Sequence, residues 1–82
     1  MNEPALFSSF EIKSKILRNR VVLSPMCQYK AENGMISDWH SQHYSRFAFS
    51  GLGAAFIEAT GVSSQGRITH GCTGIWSDDH IQ

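Results

Sequence analysis

Cysteine is scarce in this sequence, and the marks of several common protein classes are missing. The 82 residues include two cysteines, Cys27 and Cys72, and no CxxC pair, whereas a secreted disulfide scaffold of this size normally carries four or more. The N-terminus has no basic segment followed by an apolar one, and no apolar run approaches the ~20 residues of a membrane span. These absences predict a cytoplasmic protein with reduced thiols and no membrane partner.

Charge is also sparse and evenly divided. Seven basic and seven acidic residues give a formal net charge of zero, and they form no basic stripe, so nucleic acid is not an expected partner. Hydrophobic residues make up 41% of the chain, a globular composition rather than a disordered one. A domain of this length buries roughly 60–65% of its unfolded surface, which predicts marginal stability unless something reinforces it.

The first third of the chain has the pattern of a hairpin followed by a buried strand. Residues 10–13 alternate apolar and polar side chains, and Ile16–Leu17 can pair back after a turn at Ser14–Lys15. Val21–Leu23 is an unbroken apolar run, typical of a parallel strand covered on both faces. This strand ends at Ser24–Pro25, because proline cannot donate a hydrogen bond to a sheet ladder.

A loop and one helix follow the strand. Residues 25–37 are predicted to be a loop that turns at Asn33–Gly34. Asp38 is a suitable N-cap, and the aromatic and apolar spacing from Trp39 to Ser50 predicts a helix of about three turns. The glycines of Gly51-Leu52-Gly53 end it. They follow a helix rather than a strand, so they are not a dinucleotide-binding fingerprint.

The remaining sequence completes one crossover and begins another. Ala54–Ala59 is the next strand candidate, and we expect Val21–Ser24 and Phe56–Ala59 to pair in parallel through a right-handed crossover. A loop from Gly61 to Trp76 leads to a second helix start at Ser77-Asp78-Asp79. Two strands and one helix leave sheet edges and one face uncovered. The pattern therefore predicts the N-terminal part of a larger α/β domain.

Two segments are placed to carry chemistry. Ser24–Cys27 and Glu58–Thr60 follow the two strands, and ligands bind at the C-terminal ends of parallel strands. The Cys27 thiol is either a group tuned by its surroundings that contacts a cofactor, or a small buried hydrophobe, the commoner fate of a free cysteine. Tyr29 is either a hydrogen-bond donor to a ligand or a half-buried loop aromatic.

Histidines provide a weaker signal. His40 and His43 lie three residues apart on one face of the predicted helix. They could hold a metal with a third ligand, but no HExxH pattern supports this, and a packing or surface role is favoured. Cys72 with His70 and His80 is an equally loose ligand set. No metal site is predicted.

Several blocks of the sequence together resemble one known family. The stretch Leu17–Tyr29, with its Ser-Pro-Met-Cys-x-Tyr core, resembles the opening strand of Old Yellow Enzyme-type flavoproteins, in particular the bacterial thermophilic-like subgroup. Further blocks match in order and spacing: Trp39-His40, His43-Tyr44, Ile57-Glu58-Ala59-Thr60, Gly66-Arg67-Ile68-Thr69 and Gly74-Ile75-Trp76-Ser77-Asp78. The resemblance covers essentially all 82 residues.

The resemblance implies a (β/α)₈ barrel, of which residues 1–82 are an N-terminal segment with a hairpin that closes the bottom of the barrel. It implies FMN as cofactor, NADPH or NADH as reductant, and hydride transfer from the flavin to an activated alkene such as an enone. The resemblance is compatible with a parent protein that forms homo-oligomers. Such a barrel typically needs ~250 residues, so most of the family's substrate and phosphate ligands are expected beyond Gln82.

The resemblance also assigns roles to individual residues. By matching position, Ser24, Pro25, Met26 and Cys27 line FMN, and Cys27 modulates its redox behaviour beside the N5 and O4 edge. Ala59 contributes a further flavin contact, and Tyr29 reaches the substrate. The competing hypothesis is a non-enzymatic module that kept barrel residues without a flavin site and assembles with other pieces.

Overall fold

The computed structural model describes residues 4–81. Their strands and helix, in chain order, are β1 (Phe10–Ile12), β2 (Lys15–Leu17), β3 (Val22–Leu23), α1 (Asp38–Phe49), β4 (Ala54–Ala55), β5 (Thr60–Gly61) and β6 (Thr73–Gly74). Single 3₁₀ turns occur at Ala5–Phe7 and Asp78–His80. β1 and β2 pair antiparallel, whereas β3 pairs with β4 and β5 with β6 in parallel.

The predicted N-terminal hairpin is present, but its turn lies one residue earlier than expected. Ile12 pairs with Lys15, so Lys13 and Ser14 form the turn, not Ser14–Lys15. Lys13 has a φ of 53°, in the left-handed region that tight hairpin turns require. The alternation of side chains located the strands, but the turn has no Asn-Gly or Asp-Gly pair that would have fixed its position.

The parallel pairing across the helix is confirmed, although the second strand is displaced from the predicted one. Val22 and Leu23 pair with Ala54 and Ala55, so Phe56–Ala59 is not the paired segment. The ladder stops because Ser24 and Pro25 follow β3, and proline offers no N–H. Its last hydrogen bond runs from the Phe56 N–H to the Leu23 carbonyl, at 3.0 Å.

Helix α1 is capped by Ser37, one residue before the predicted cap Asp38. The Ser37 hydroxyl accepts a hydrogen bond from the Trp39 N–H at 3.3 Å, and His40 Nδ1 accepts one from the Ser37 N–H at 3.0 Å. Asp38 therefore lies in the first turn, where its charge favours the helix dipole. The helix ends at Phe49, and Gly51, which was predicted to end it, follows the C-cap Ser50 with a φ of 88°.

A second parallel pair lies where the sequence indicated only a loop. Thr60 and Gly61 pair with Thr73 and Gly74, inside or beside the predicted loop from Gly61 to Trp76. Threonine and glycine form no apolar run, so the pattern contained no strand signal there. Ser77 caps the next helical turn as predicted, and its hydroxyl accepts from the Asp79 N–H at 3.2 Å.

The described residues bury little apolar surface. Leu23, Ala31 and Cys72 are the buried hydrophobic side chains among residues 4–81, and His40, Glu58 and Thr73 are buried beside them. Many large apolar side chains are exposed, including Phe56, Ile57, Val62, Ile68 and Ile75. No helix among these residues is long and apolar enough to cross a membrane. The sheet faces therefore remain available for further layers of structure.

Candidate functional site

The segment that leaves β3 forms an open rim. Ser24, Pro25 and Met26 are exposed, and Cys27 is half-buried. Among residues 4–81, no protein acceptor receives a hydrogen bond from the backbone N–H groups of Met26 to Lys30. Unpaired N–H groups at the C-terminal end of a parallel strand are donors for a bound ligand, because water is otherwise their partner.

Tyr29 projects from this rim in an unusual backbone conformation. Its φ is 56°, a left-handed value that a non-glycine residue adopts only when its surroundings impose it. The Ala31 N–H donates to the Gly71 carbonyl at 3.0 Å, and a Cβ on Gly71 would lie 2.7 Å from the Tyr29 carbonyl group. The close approach of residue 71 holds Tyr29 in place, while 55% of the residue's surface stays exposed.

Gln28 is a rim residue that the sequence analysis missed. Its amide nitrogen donates to the Met26 carbonyl at 2.9 Å, and its amide oxygen accepts from Trp39 Nε1 at 2.9 Å. The Lys30 ammonium lies 4.9 Å from the centre of the Trp39 ring, a cation–π contact. The rim is thus tied to the first turn of α1. Sequence spacing offers no signal for this contact, since it depends on the course of the loop.

Ala59 supplies the corresponding rim after β4. It is exposed, and its carbonyl accepts from the Thr73 hydroxyl at 3.3 Å. Both rims lie at the same edge of the molecule, because β3 and β4 run parallel and adjacent. The structure therefore brings together the two segments that the sequence singled out. Most of their residues are exposed: Ser24, Pro25, Met26 and Ala59.

A buried polar cluster lies behind the two rims. Glu58 is 3% exposed and His40 is 2% exposed. The Tyr44 hydroxyl donates to Glu58 Oε2 at 2.8 Å and accepts from the Glu58 N–H at 3.0 Å. His40 Nε2 lies 3.5 Å from Glu58 Oε1, too far for a good hydrogen bond. The cluster joins α1 to the chain immediately before Ala59.

The buried surroundings of this cluster shift the pKa of Tyr44. Desolvation by burial raises the pKa of its phenol, and the adjacent Glu58 carboxylate and the Cys27 thiol raise it further. The backbone hydrogen bond at Glu58 acts in the opposite direction. Tyr44 is therefore a neutral hydrogen-bonding group at ordinary pH, and Cys27 lies near enough to influence it.

The histidines form no metal site within the part of the chain that the structure describes, where no group of three or more metal-ligating side chains occurs. His43 stacks edge-on against Tyr44 and Phe47, with ring centres 4.8 and 5.1 Å apart. This agrees with the packing role favoured for it.

Cys72 is a buried thiol that accepts a hydrogen bond from the Thr69 N–H at 3.3 Å. This bond lowers the pKa of the thiol against the opposing effect of burial. Its surroundings are therefore those of a structural cysteine with a polarised sulfur, whereas Cys27 lies on the open rim.

The geometry first indicates the class of fold. Two successive parallel pairs, β3–β4 with α1 between its strands and then β5–β6, agree with the opening of a parallel α/β barrel. A solved structure of an old yellow enzyme homologue from Zymomonas mobilis superposes on 95% of this chain with a TM-score of 0.83 and 25% identity, and 22% of that structure is covered. The fold is therefore the N-terminal portion of such a (β/α)₈ barrel.

The sequence comparisons then give the family. The model of the NADH:flavin oxidoreductase / NADH oxidase family matches residues 5–82, and the chain belongs to this family. A NADPH dehydrogenase of Geobacillus sp. (strain WCH70) is 43% identical over 81 residues, and one of Halalkalibacterium halodurans is 47% identical over 81 residues. Each alignment covers 96% of this chain and 24% of the relative. The chain thus spans about a quarter of the length of these curated relatives.

Proposed function

We propose that residues 1–82 are the N-terminal segment of an FMN-binding oxidoreductase barrel that reduces activated alkenes such as enones with NADPH or NADH. The observation that carries the proposal is the open double rim of Ser24–Tyr29 and Ala59 in a chain of this family. We further propose a cytoplasmic location and a parent protein that forms homo-oligomers.

The rim is suited to the flat ring system of a flavin. The backbone N–H groups of Met26 to Lys30 lack protein acceptors among residues 4–81, and the flavin ring carries oxygen and nitrogen acceptors along one edge. Ala59 is small and exposed, which allows close approach of a ring. Ser24, Pro25 and Met26 would line one side, and Ala59 the next. When bound, FMN would accept hydride from NADPH or NADH and deliver it to the alkene.

The chain's own residues would orient and tune rather than exchange electrons. The half-buried Cys27 thiol would make a weak hydrogen bond to the flavin edge. Tyr29 is exposed and held in a left-handed conformation, so its phenol is presented outward with little freedom of the backbone. A phenol in that position would donate to the oxygen of an enone and help to polarise it.

The first prediction compares the segment with the full-length protein. Residues 1–82 provide two rims only, whereas barrel enzymes usually bind phosphate through late loops. We expect the full-length protein to purify yellow with about one FMN per chain, and residues 1–82 alone to bind FMN weakly and not to oxidise NADPH. Visible absorption and an NADPH oxidation assay with a cyclic enone measure both properties.

Colourless full-length protein that does not take up added FMN would refute the proposal. In that case the non-enzymatic module would be the better explanation. Tight FMN binding by residues 1–82 would instead show that the two rims suffice and that the late loops are dispensable.

The second prediction concerns Cys27 in the full-length protein. If the thiol contacts the flavin, Cys27→Ala changes the relative stability of oxidised and reduced flavin by roughly one polar contact, and about 30 mV corresponds to ~1.4 kcal/mol. We expect a shift of tens of millivolts at most, retained FMN, and opposite changes in the rates of the two half-reactions. Spectroelectrochemistry and stopped-flow kinetics measure these.

Cys72→Ala is the matched control, because the Cys72 thiol is buried whereas the Cys27 thiol is half-buried on the rim. It should lower the melting temperature and leave the potential unchanged. If Cys27→Ala behaves in the same way as Cys72→Ala, Cys27 is a packing residue and its proposed role is wrong.

A further inference from the structure

The chain around Ala59 lacks the support that a strand normally receives. β4 ends at Ala55 and β5 begins at Thr60, and the intervening residues have one backbone hydrogen bond to the neighbouring strand, from Phe56 to Leu23. The neighbour has been lost because β3 gives way to Ser24–Pro25. Backbone groups that are removed from water need partners from elsewhere.

Side-chain hydroxyl groups supply these partners. The Tyr44 hydroxyl accepts the hydrogen bond from the Glu58 N–H at 3.0 Å. The Thr60 hydroxyl donates to the Glu58 carbonyl at 2.9 Å, and the Thr73 hydroxyl donates to the Ala59 carbonyl at 3.3 Å. The peptide groups that flank Ala59 are therefore fixed by hydroxyls from α1, β5 and β6.

Tyr44 makes two hydrogen bonds to this segment, both to Glu58, whereas each threonine makes one. Its hydroxyl also donates to Glu58 Oε2 at 2.8 Å, so the backbone and the carboxylate of one residue are clamped together. His40 completes the surroundings of that carboxylate. Its Nδ1 accepts the Ser37 N–H, so the proton of the neutral ring lies on Nε2 and faces Glu58 Oε1.

We propose that Tyr44 is a positioning residue of the flavin site, whose hydroxyl takes the place of the missing strand neighbour and sets the backbone at Glu58 and Ala59 against the flavin ring. This inference rests on the proposed function. It extends that function, because Tyr44 lies on α1 and acts through its hydrogen bonds to Glu58 rather than from the rim itself. A shift of less than 1 Å in such a backbone is enough to weaken binding of a rigid ring.

The experiment uses Tyr44→Phe in the full-length protein, with Phe47→Leu as the matched control. Phe47 lies one turn later on α1 and stacks on His43, so its substitution disturbs helix packing without touching Glu58. We expect Tyr44→Phe to raise the FMN dissociation constant about tenfold and to shift the visible flavin band. Phe47→Leu should lower the melting temperature with FMN affinity and spectrum unchanged.

A second variant separates positioning from general loss of structure. Thr73→Val keeps the shape of the side chain and removes only the hydroxyl that donates to Ala59, so it should weaken FMN binding about threefold. If Tyr44→Phe fails to fold, Thr73→Val still tests whether hydroxyl support of the backbone at Ala59 sets FMN affinity. Wild-type FMN affinity and spectrum in the variant that folds would overturn the inference. Wild-type protein that binds no FMN would overturn the proposed function, whereas an unaffected Tyr44→Phe holoprotein would overturn only the role of Tyr44.

Discussion

Two of the helix starts in residues 4–81 use the same local chemistry for different ends. Ser37-Asp38-Trp39-His40 begins the twelve-residue α1, and Ser77-Asp78-Asp79-His80 begins a three-residue 3₁₀ turn. In both, the serine hydroxyl accepts from the backbone two residues on, and the histidine Nδ1 accepts the serine N–H, at 3.0 and 3.3 Å. These are capping boxes in which histidine replaces the usual Glu or Gln.

The two capping boxes differ in the group that the histidine Nε2 faces. Because Nδ1 accepts from a backbone N–H, the proton of each neutral imidazole lies on Nε2. His40 Nε2 faces the buried Glu58 carboxylate, whereas His80 Nε2 donates to the Asn33 carbonyl at 2.8 Å. The first box therefore supports the rim from behind, and the second holds the loop that carries the rim. The local cap therefore fixes the tautomer of each histidine, and the tertiary fold determines which group the Nε2–H faces.

The largest expected effect comes from breaking the contact between the second box and the loop. Gly34 has a φ of 77°, and a Cβ there would lie 2.6 Å from Trp76 and 2.7 Å from His80. We expect Gly34→Ala to cost about 2 kcal/mol of folding stability, from overpacking and from the left-handed backbone together. Urea unfolding of the full-length protein measures this.

Gly51→Ala is the control for the backbone contribution. Gly51 has a φ of 88° with nothing within 4 Å of an added Cβ, so it should cost only about 1 kcal/mol. Equal costs at the two glycines would mean that the close approach of Trp76 and His80 to Gly34 adds no overpacking cost.

An intermediate loss of stability is expected when the serine caps of the two boxes are removed. Ser37→Ala removes the cap of a complete helix and should cost about 1 kcal/mol, whereas Ser77→Ala should cost a few tenths, roughly 0.3 kcal/mol, because a single turn gains little from its cap. Thermal unfolding of both variants tests the order. A larger loss for Ser77→Ala would show that the second box is the more important anchor.

The smallest effect is a pH dependence of Tyr44, which hydrogen-bonds the Glu58 carboxylate that His40 of the first box faces. Because burial raises the pKa of Tyr44 above its ordinary value of 10.0, its contribution to stability is present below pH 10.0 and is lost as the pH rises through the folded-state pKa. We expect Tyr44→Phe to flatten the alkaline fall in stability. Cys72, whose pKa is lowered, is present in both proteins, so its contribution cancels in the difference. Parallel alkaline curves would contradict the assignment.

Local chemistry was sufficient for much of the fold. Pro25 ends β3, Asn33–Gly34 turns the loop, and Gly51 follows the C-cap of α1, because each depends on the backbone preference of one or two residues. Ser37 and Asp38 are both residue types that cap helices. The predicted cap, Asp38, is wrong, because His40 accepts the Ser37 N–H and Ser37 is the cap.

The remaining features depend on contacts between distant segments. The β5–β6 pair has no apolar run to mark it, and the hydroxyl of Tyr44 reaches Glu58 across 14 positions. Neither spacing nor composition contains that information. The roles proposed for Cys27, Tyr29 and Ala59 came from the family resemblance, and the structure adds the open backbone around the first two.

The contact of Trp39 with the rim has a spectroscopic consequence. The chain has two tryptophans, and each belongs to one helix start: Trp39 is hydrogen-bonded to Gln28, and Trp76 stacks on His80 with ring centres 4.5 Å apart. An indole that donates to the loop and lies exposed emits at longer wavelength than one that is half-buried against an imidazole. Replacing either tryptophan by phenylalanine therefore leaves a fluorophore that reports on one crossover alone, and flavin bound at the rim would quench Trp39 by energy transfer.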